Sequence, residues 1–168
     1  MATISKFIQM EYRPANPDKY VGVAGKKLFL RSSFEVAAAR FLDFEPSVLK
    51  WGCENIEIPY FDPVRKANRR YIMDFIIYGK DADGKDRITM VEVKPSKQAG
   101  KNPPKRGNKS DKTFDAEVRV WMTNQAKWEA ATEYALKRGW NFIIWTEIDL
   151  FPQNQSIKKT FRKKKPPK

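Results

Sequence analysis

The strongest constraint on the fold is a pair of apolar segments, residues 70–79 and 86–94, separated by a short polar stretch. The first segment is apolar on both faces, apart from Arg70 and Asp74. The stretch between the two segments, residues 81–85, has the Asp and Gly content typical of a tight turn. We therefore predict an antiparallel hairpin within a mostly apolar sheet.

The register of this hairpin can be predicted from the centre of its turn. If the turn centres on Asp83, residues equally far from it on either side pair, and Asp74 faces Glu92. The Cβ atoms of such a pair lie roughly 4.5–5.5 Å apart. Lys94 shares their face because side chains alternate along a strand.

Two carboxylates that face each other in an apolar sheet repel, and burying an unpaired charge is costly. A divalent cation would compensate, and Lys94 alone is the second possibility, in which the group is only a structural ion pair. The chain has no histidine, which excludes Ser-His-Asp catalysis and His-ligated zinc. We predict a metal site of Asp74 and Glu92, with Lys94 as a catalytic cation.

Composition points to a polyanionic partner. The chain has 33 Lys and Arg against 20 Asp and Glu, which favours nucleic acid. The single cysteine, Cys53, excludes an internal disulfide and a cysteine-rich zinc site. We find neither an apolar run long enough to cross a membrane nor a signal-peptide core, and we expect a cytosolic protein.

Positive charge is concentrated after Lys94, in residues 95–112, whose turn-forming composition predicts a loop. It is interpreted as a flap that binds DNA phosphates, with a solvated linker as the alternative. Its candidate DNA-binding residues are Lys97, Lys101, Lys105, Arg106, Lys109 and Lys112. A basic tail, residues 152–168, is expected to add nonspecific affinity for nucleic acid.

The remaining periodicities predict an α/β domain over residues 31–151, with a mixed central sheet and flanking helices in the order αβββαβ. The first three strands should be antiparallel and the last parallel to its neighbour. The other predicted elements are helices at 33–43 and 114–138 and strands at 53–60 and 140–146. Residues 1–30 form an extended arm, which either grips DNA or packs on the domain as a strap.

Two further polar residues are candidates for the site. Glu35 fits a capping box with Ser32, or is a third carboxylate beside the metal. Gln125 falls on the predicted buried stripe of the long helix, where it is a core amide or reaches the site. In that interpretation Lys127 points away. Glu54 is interpreted as a charge at a strand end and a weak candidate ligand.

Six motifs between residue 12 and about residue 150 occur together in this chain: Tyr12-x-Pro14-x-Asn16-Pro17-x-Lys19-Tyr20-x-Gly22, Arg31-Ser32-Ser33-Phe34-Glu35, Ile58-Pro59-Tyr60-Phe61, Arg70-Tyr71-x-x-Asp74-Phe75, Glu92-Val93-Lys94-Pro95 and Asn124-Gln125-Ala126-Lys127-Trp128. Together they resemble the PD-(D/E)XK nuclease superfamily, and within it the head-completion nucleases of tailed phages, which are similar to TnsA-type endonucleases. Met73 departs from the pattern, which often has proline before the aspartate.

The resemblance implies a restriction-endonuclease-like core with Glu35, Asp74, Glu92 and Lys94 as catalytic residues and Gln125 in a supporting position. It also implies a Mg²⁺-dependent endonuclease, with Mn²⁺ as a substitute, that acts on packaged phage DNA before the tail joins. Expected partners are DNA and portal or neck proteins, in the host cytoplasm or on the virion. The alternatives are a non-catalytic DNA-binding or head–neck structural protein, and a transposase or repair nuclease of the same fold.

Overall fold

The computed structural model describes residues 9–23, 25–100, 103–104 and 107–151. The secondary structure of these residues begins with β1 (Met10–Tyr12), β2 (Leu28–Leu30), α1 (Ser33–Phe44), β3 (Val48–Cys53), β4 (Glu57–Asp62) and β5 (Ala67–Ile72). It continues with β6 (Phe75–Lys80), β7 (Asp86–Val93), α2 (Ser96–Ala99), α3 (Asp111–Leu136), β8 (Asn141–Trp145) and α4 (Glu147–Leu150).

A four-stranded sheet in the order β3-β6-β7-β8 forms the centre of the molecule. β3, β6 and β7 are antiparallel, whereas β7 and β8 are parallel and are connected through α3. Phe75 pairs with Val91 in the register predicted from a turn centred on Asp83. Gly84 in that turn has a positive φ of 77°, a conformation that glycine adopts without strain. The α/β class, the mixed sheet and the hairpin register are therefore confirmed.

The predicted strand over residues 70–79 was wrong in one respect, because it consists of two strands in different sheets. β5 ends at Ile72 and β6 begins at Phe75. At the corner between them, the Met73 N–H donates to the Ile56 carbonyl and the Glu54 N–H donates to the Asp74 carbonyl. These bonds satisfy backbone groups where neither strand ladder can.

The predicted strand over residues 53–60 was also misplaced. Glu54 has a φ of 54°, in the left-handed region that L-residues rarely occupy, and it turns the chain out of the central sheet. β4 therefore pairs only with β5, in a separate two-stranded β4–β5 ribbon. β3 is the first strand of the central sheet instead. Its pairing with β6 shifts register between Val48 and Lys50, which interrupts the alternation by which a strand is recognised in sequence.

Each face of the central sheet carries its own apolar core. On one face α1 packs with β2, and Trp51, Phe75 and Leu42 lie at the centre. On the other face the β4–β5 ribbon and α3 cover the sheet, with Met73, Met90 and Ala131 buried between them. The catalytic candidates lie between these two layers.

The N-terminal arm packs on the domain over its described residues. The fully buried carboxylate of Asp43 accepts hydrogen bonds from the backbone N–H groups of Ala15 and Asn16. Leu28 and Leu30 belong to the core. This packing supports the strap interpretation over an arm that is free to grip DNA.

Part of the predicted loop at 95–112 is helical. α2 forms one turn directly after β7, and its first residue, Ser96, donates from its N–H and hydroxyl to Glu147 on α4. α3 begins at Asp111, earlier than predicted. The basic tail at 152–168 lies outside the described residues. No helix within the described part of the chain is long and apolar enough to cross a membrane.

Candidate active site

Glu92 lies on β7 with only 2% of its surface exposed. One carboxylate oxygen accepts a hydrogen bond of 2.6 Å from the Tyr71 hydroxyl. The other oxygen forms an ion pair of 2.8 Å with the Lys94 ammonium. Both oxygens therefore have a donor, which a buried carboxylate requires.

Asp74 lies in the corner between β5 and β6. Its carboxylate accepts a hydrogen bond of 2.8 Å from the backbone N–H of Val93, the residue between Glu92 and Lys94. Burial raises the pKa of the Asp74 carboxyl well above its ordinary value, and the charge of Glu92 raises it further. The repulsion predicted from the hairpin register is thus present in the folded protein.

Lys94 is the principal cation beside these carboxylates. Burial alone would lower its pKa, but the charge of Glu92 and its hydrogen bond outweigh burial, so that the pKa is raised. The carboxylates of Asp74 and Glu35 raise it as well. Lys94 is therefore held in its charged form within a site that carries an excess of negative charge.

Glu35 makes the local contacts of a helix cap. Its oxygens accept hydrogen bonds from the Arg31 N–H and the Ser32 hydroxyl, and its own N–H donates to Ser32. Its charge nevertheless raises the pKa of both Asp74 and Lys94. Ser32 caps the helix as predicted, but the Glu35 carboxylate bonds the Arg31 N–H in place of the Ser32 N–H, so only half of the predicted capping box forms. The role of Glu35 beside the metal stays a prediction.

On α3 the sequence prediction was wrong in phase. The buried stripe consists of Asn124, Trp128, Ala131 and Ala135. Gln125 is half-buried and borders a surface cavity of about 420 Å³ with residues of the same helix, including Glu129 and Thr132. The described structure gives Gln125 no hydrogen bond that would place it at the carboxylates, and its supporting role stays a prediction.

Lys127 was predicted to point away, and the structure contradicts this. Its ammonium lies 5.3 Å from the centre of the Tyr71 ring and 5.9 Å from that of Tyr60. Tyr71 and Lys127 are therefore two neighbours of Glu92 that sequence reasoning missed. The available signal was the position of Lys127 one turn before Ala131, on the same face of α3.

The predicted DNA-binding residues fall into two groups. Lys97 on α2 and Lys112 in the first turn of α3 are exposed, whereas Lys109 is half-buried and ion-paired with Glu117. Lys101, Lys105 and Arg106 lie outside the described residues. Glu54 forms an ion pair of 2.7 Å with Arg31 at the strand end.

The donor set of Asp74 and Glu92 fits a hard divalent cation. Mg²⁺ is commonly held by one or two carboxylates, and water and substrate phosphate supply its other ligands. Within the described residues no three Asp, Glu or Cys side chains gather into a metal site of their own. Burial and the charge of Glu92 raise the pKa of Asp74, and a bound cation would offset both effects.

A mixed sheet with an aspartate at the start of one strand and Glu-x-Lys at the end of the next defines a restriction-endonuclease-like fold. The family model described as "TnsA-like endonuclease N terminal" matches residues 45–147. The matched range contains Asp74, Glu92, Lys94 and Lys127, whereas Glu35 precedes it.

The chain is also similar to the Head completion nuclease of Enterobacteria phage T4, at 38% identity over 139 residues. The match covers 82% of this chain and 89% of that protein. The chain belongs to the TnsA-like endonuclease family, which confirms the resemblance to TnsA-type and head-completion nucleases.

Proposed function

We propose that the protein is a Mg²⁺-dependent DNA endonuclease that hydrolyses phosphodiester bonds at Asp74, Glu92 and Lys94. The observation that carries the proposal is the arrangement of two buried carboxylates around one short segment. Asp74 accepts a hydrogen bond from the Val93 N–H, and Glu92 is ion-paired with Lys94. The positive charge of the whole chain, +13, supports a nucleic-acid substrate.

Asp74 and Glu92 would hold the metal through carboxylate oxygens, since the corner and the end of β7 bring both to one place. When bound, Mg²⁺ polarises a phosphate and makes a neighbouring water more acidic. Lys94 has two roles that fit its position, orienting the attacking water and stabilising the negative charge that develops on the phosphate. Its ion pair with Glu92 holds the ammonium beside the carboxylates that would bind the metal.

Tyr71 positions Glu92 from the opposite side. Burial and the charge of Glu92 raise the pKa of the Tyr71 hydroxyl, so that it keeps its proton and remains a donor. Tyr71 belongs to the β4–β5 ribbon, whereas Glu92 belongs to the central sheet. The hydrogen bond therefore also locks the ribbon to the site.

We further propose that the protein acts on phage DNA during completion of the head, in the host cytoplasm or on the virion. The similarity to the Head completion nuclease of phage T4 supports this setting. DNA is the proposed substrate, and portal or neck proteins are the proposed protein partners.

The test is a nuclease assay on supercoiled, linear, single-stranded and branched DNA, with Mg²⁺, with Mn²⁺ and with EDTA. Cleavage should require the metal. It should be lost in Asp74→Ala and Lys94→Ala while DNA binding persists. Asp18→Ala, which changes an exposed acidic residue outside the site, is a matched control and should cleave normally.

Two results would contradict the proposal. Full cleavage by Asp74→Ala would show that the carboxylate pair is not the site. DNA binding without cleavage of any substrate would instead favour a non-catalytic DNA-binding protein of the same fold.

A further inference from the structure

Among the described residues, no carboxylate forms an ion pair with the half-buried ammonium of Lys127. Its ammonium lies over the rings of Tyr71 and Tyr60, and it makes no hydrogen bond or ion pair with any described residue. Attraction to the aromatic faces holds an ammonium in place without neutralising its charge. The N–H donors of Lys127 therefore remain available to a ligand.

The surroundings of Lys127 are unfavourable for a charge in the free protein. Burial lowers its pKa and the nearby charge of Lys94 lowers it further, and the charges of the carboxylates Glu92, Asp74 and Asp62 offset this only in part. Lysines in such positions are normally paired, because burying an unpaired charge costs free energy. A bound anion would supply the missing partner.

A second donor on the same face of α3 is also unmatched. Asn124 is 6% exposed, and its side-chain amide nitrogen is buried without a hydrogen-bond partner in the described structure. It precedes Lys127 by three residues, so that the two side chains are neighbours on the helix surface. Buried amides are usually satisfied, and an orphan donor calls for an explanation.

Two neighbouring donors without acceptors match a ligand that only accepts hydrogen bonds. A DNA phosphate has this chemistry, and lysine is a common phosphate-binding residue. We propose, on the basis of the proposed nuclease function, that Lys127 and Asn124 bind a backbone phosphate of the DNA beside the cleavage site.

The Tyr71 side chain specifies where this phosphate would lie. Its ring supports the Lys127 ammonium, and its hydroxyl donates to Glu92. The Tyr71 side chain thus lies between Lys127 and Glu92. A phosphate bound by Lys127 would therefore lie close to the phosphate that is cleaved at Glu92. Lys127 touches substrate in this arrangement and helps to set the path of the strand through the site.

Duplex binding in EDTA measures the contact without cleavage. Lys127→Met keeps the length of the side chain over the rings and removes the charge. It should weaken binding roughly tenfold and reduce the slope of log K against log salt by about 0.9, the value of one phosphate contact. Lys127→Arg should restore most of the affinity and the slope.

Lys137→Met is the matched control, since Lys137 is an exposed lysine at the end of the same helix, paired with Glu133. Its affinity and slope should match those of the unaltered protein. Unchanged affinity and slope in Lys127→Met would overturn the proposal.

Asn124→Leu separates a ligand-binding role from a structural one. Removing an orphan donor should leave the melting temperature unchanged or raise it, because a buried unsatisfied group is lost. DNA binding should nevertheless weaken. A large fall in melting temperature with unchanged DNA affinity would show that Asn124 is structural and would overturn its place in the phosphate site.

The failure of this proposal is distinguishable from failure of the proposed function. Loss of cleavage in Asp74→Ala together with normal DNA binding by Lys127→Met would overturn only the second phosphate site. Full cleavage by Asp74→Ala would overturn the nuclease site itself.

Discussion

The Tyr71 hydroxyl donates a hydrogen bond to one oxygen of the Glu92 carboxylate, which has almost no contact with solvent. Glu92 has two donors, Tyr71 and Lys94, and loss of either leaves part of a buried charge uncompensated. The chemistry of the site therefore depends on a residue outside the Asp and Glu-x-Lys pattern.

Replacing Tyr71 with phenylalanine should destabilise the protein by about 1.5–3 kcal/mol, the range for a hydrogen bond to a charged group. Cleavage should also fall, because Glu92 loses a contact that orients it. Denaturant unfolding and the nuclease assay measure the two effects.

Tyr60→Phe is the matched control, since Tyr60 packs against Tyr71 on the same ribbon and its hydroxyl has no hydrogen bond among the described residues. It should change both quantities little. Equal effects of the two substitutions would rule out a special role for the Tyr71 hydroxyl.

Asp74→Asn should stabilise the metal-free protein at neutral pH. The native pKa of Asp74 is raised, by burial first and by Glu92 second. Below the unfolded pKa of about 3.9 the carboxyl is protonated in both states and costs nothing. As pH rises above that value, the unfolded state ionises while the folded state keeps its proton, so stability falls until the pH passes the raised native pKa, and asparagine avoids this loss.

Thermal unfolding in EDTA between pH 4 and 8 tests this prediction. A gain of about 1 kcal/mol would raise the melting temperature by about 2–4 °C at the upper end, and the difference should vanish towards pH 4. Mg²⁺ should stabilise the unaltered protein and not the variant. Asp83→Asn, in the exposed turn, should have no pH-dependent effect, and a lower melting temperature for Asp74→Asn throughout would contradict the argument.

At the scale of elements, one buried carboxylate, that of Asp43, joins the N-terminal strap to the end of α1. Asp43 is completely buried and accepts two backbone hydrogen bonds, while Lys19 donates to its carbonyl. Asp43→Ala should loosen the strap around Ala15 and Asn16 and accelerate trypsin cleavage after Lys19.

The same substitution should lower stability by about 2 kcal/mol, since buried backbone donors lose a charged acceptor. Limited proteolysis and denaturant unfolding would record both effects. Asp83→Ala, which changes an exposed acidic residue in the turn between β6 and β7, should leave the cleavage rate unchanged. Equal protection in Asp43→Ala would mean that other contacts hold the strap.

The elements also show what sequence can reveal. The proximity of Asp74, Glu92 and Lys94 was predictable, because the turn at Asp83 is a local signal that sets the register of β6 against β7. The corner between β5 and β6 was not predictable from sequence. Its hydrogen bonds join Met73 to Ile56 and Asp74 to Glu54, which come from an earlier part of the chain.

The phase of α3 was missed for a related reason. Large apolar residues dominate a helical-wheel argument, yet Leu136 is 71% exposed, whereas the small Ala131 and Ala135 are buried. Small residues allow the helix to approach the ribbon and sheet closely. The face containing Lys127 is therefore set by packing distance, which hydropathy alone does not reveal.

At the scale of the whole molecule, electrostatics should govern DNA binding. The net charge is +13, and several basic residues, including Lys97 and Lys112, are exposed. Affinity for duplex DNA should fall steeply between 50 and 200 mM salt, by about 10³-fold or more if six or more phosphates are contacted.

Fluorescence anisotropy over a salt series measures this dependence. The slope should be shallower for single-stranded DNA, because single strands release fewer counterions for each neutralised phosphate. Affinity that does not change with salt would contradict an electrostatic footprint and would indicate recognition through bases alone.

The parallel pairing of β7 with β8 has a consequence for protein synthesis. The Lys94 N–H donates to the Trp145 carbonyl, so the end of the Glu-x-Lys strand is fixed by a residue made some fifty positions later. A ribosome releases the chain from its N-terminus, and the nascent protein therefore carries every carboxylate of the site before it has the strand that fixes the backbone at Lys94. We expect nuclease activity to appear only after β8 has left the ribosome, which would prevent unfinished chains from cutting DNA.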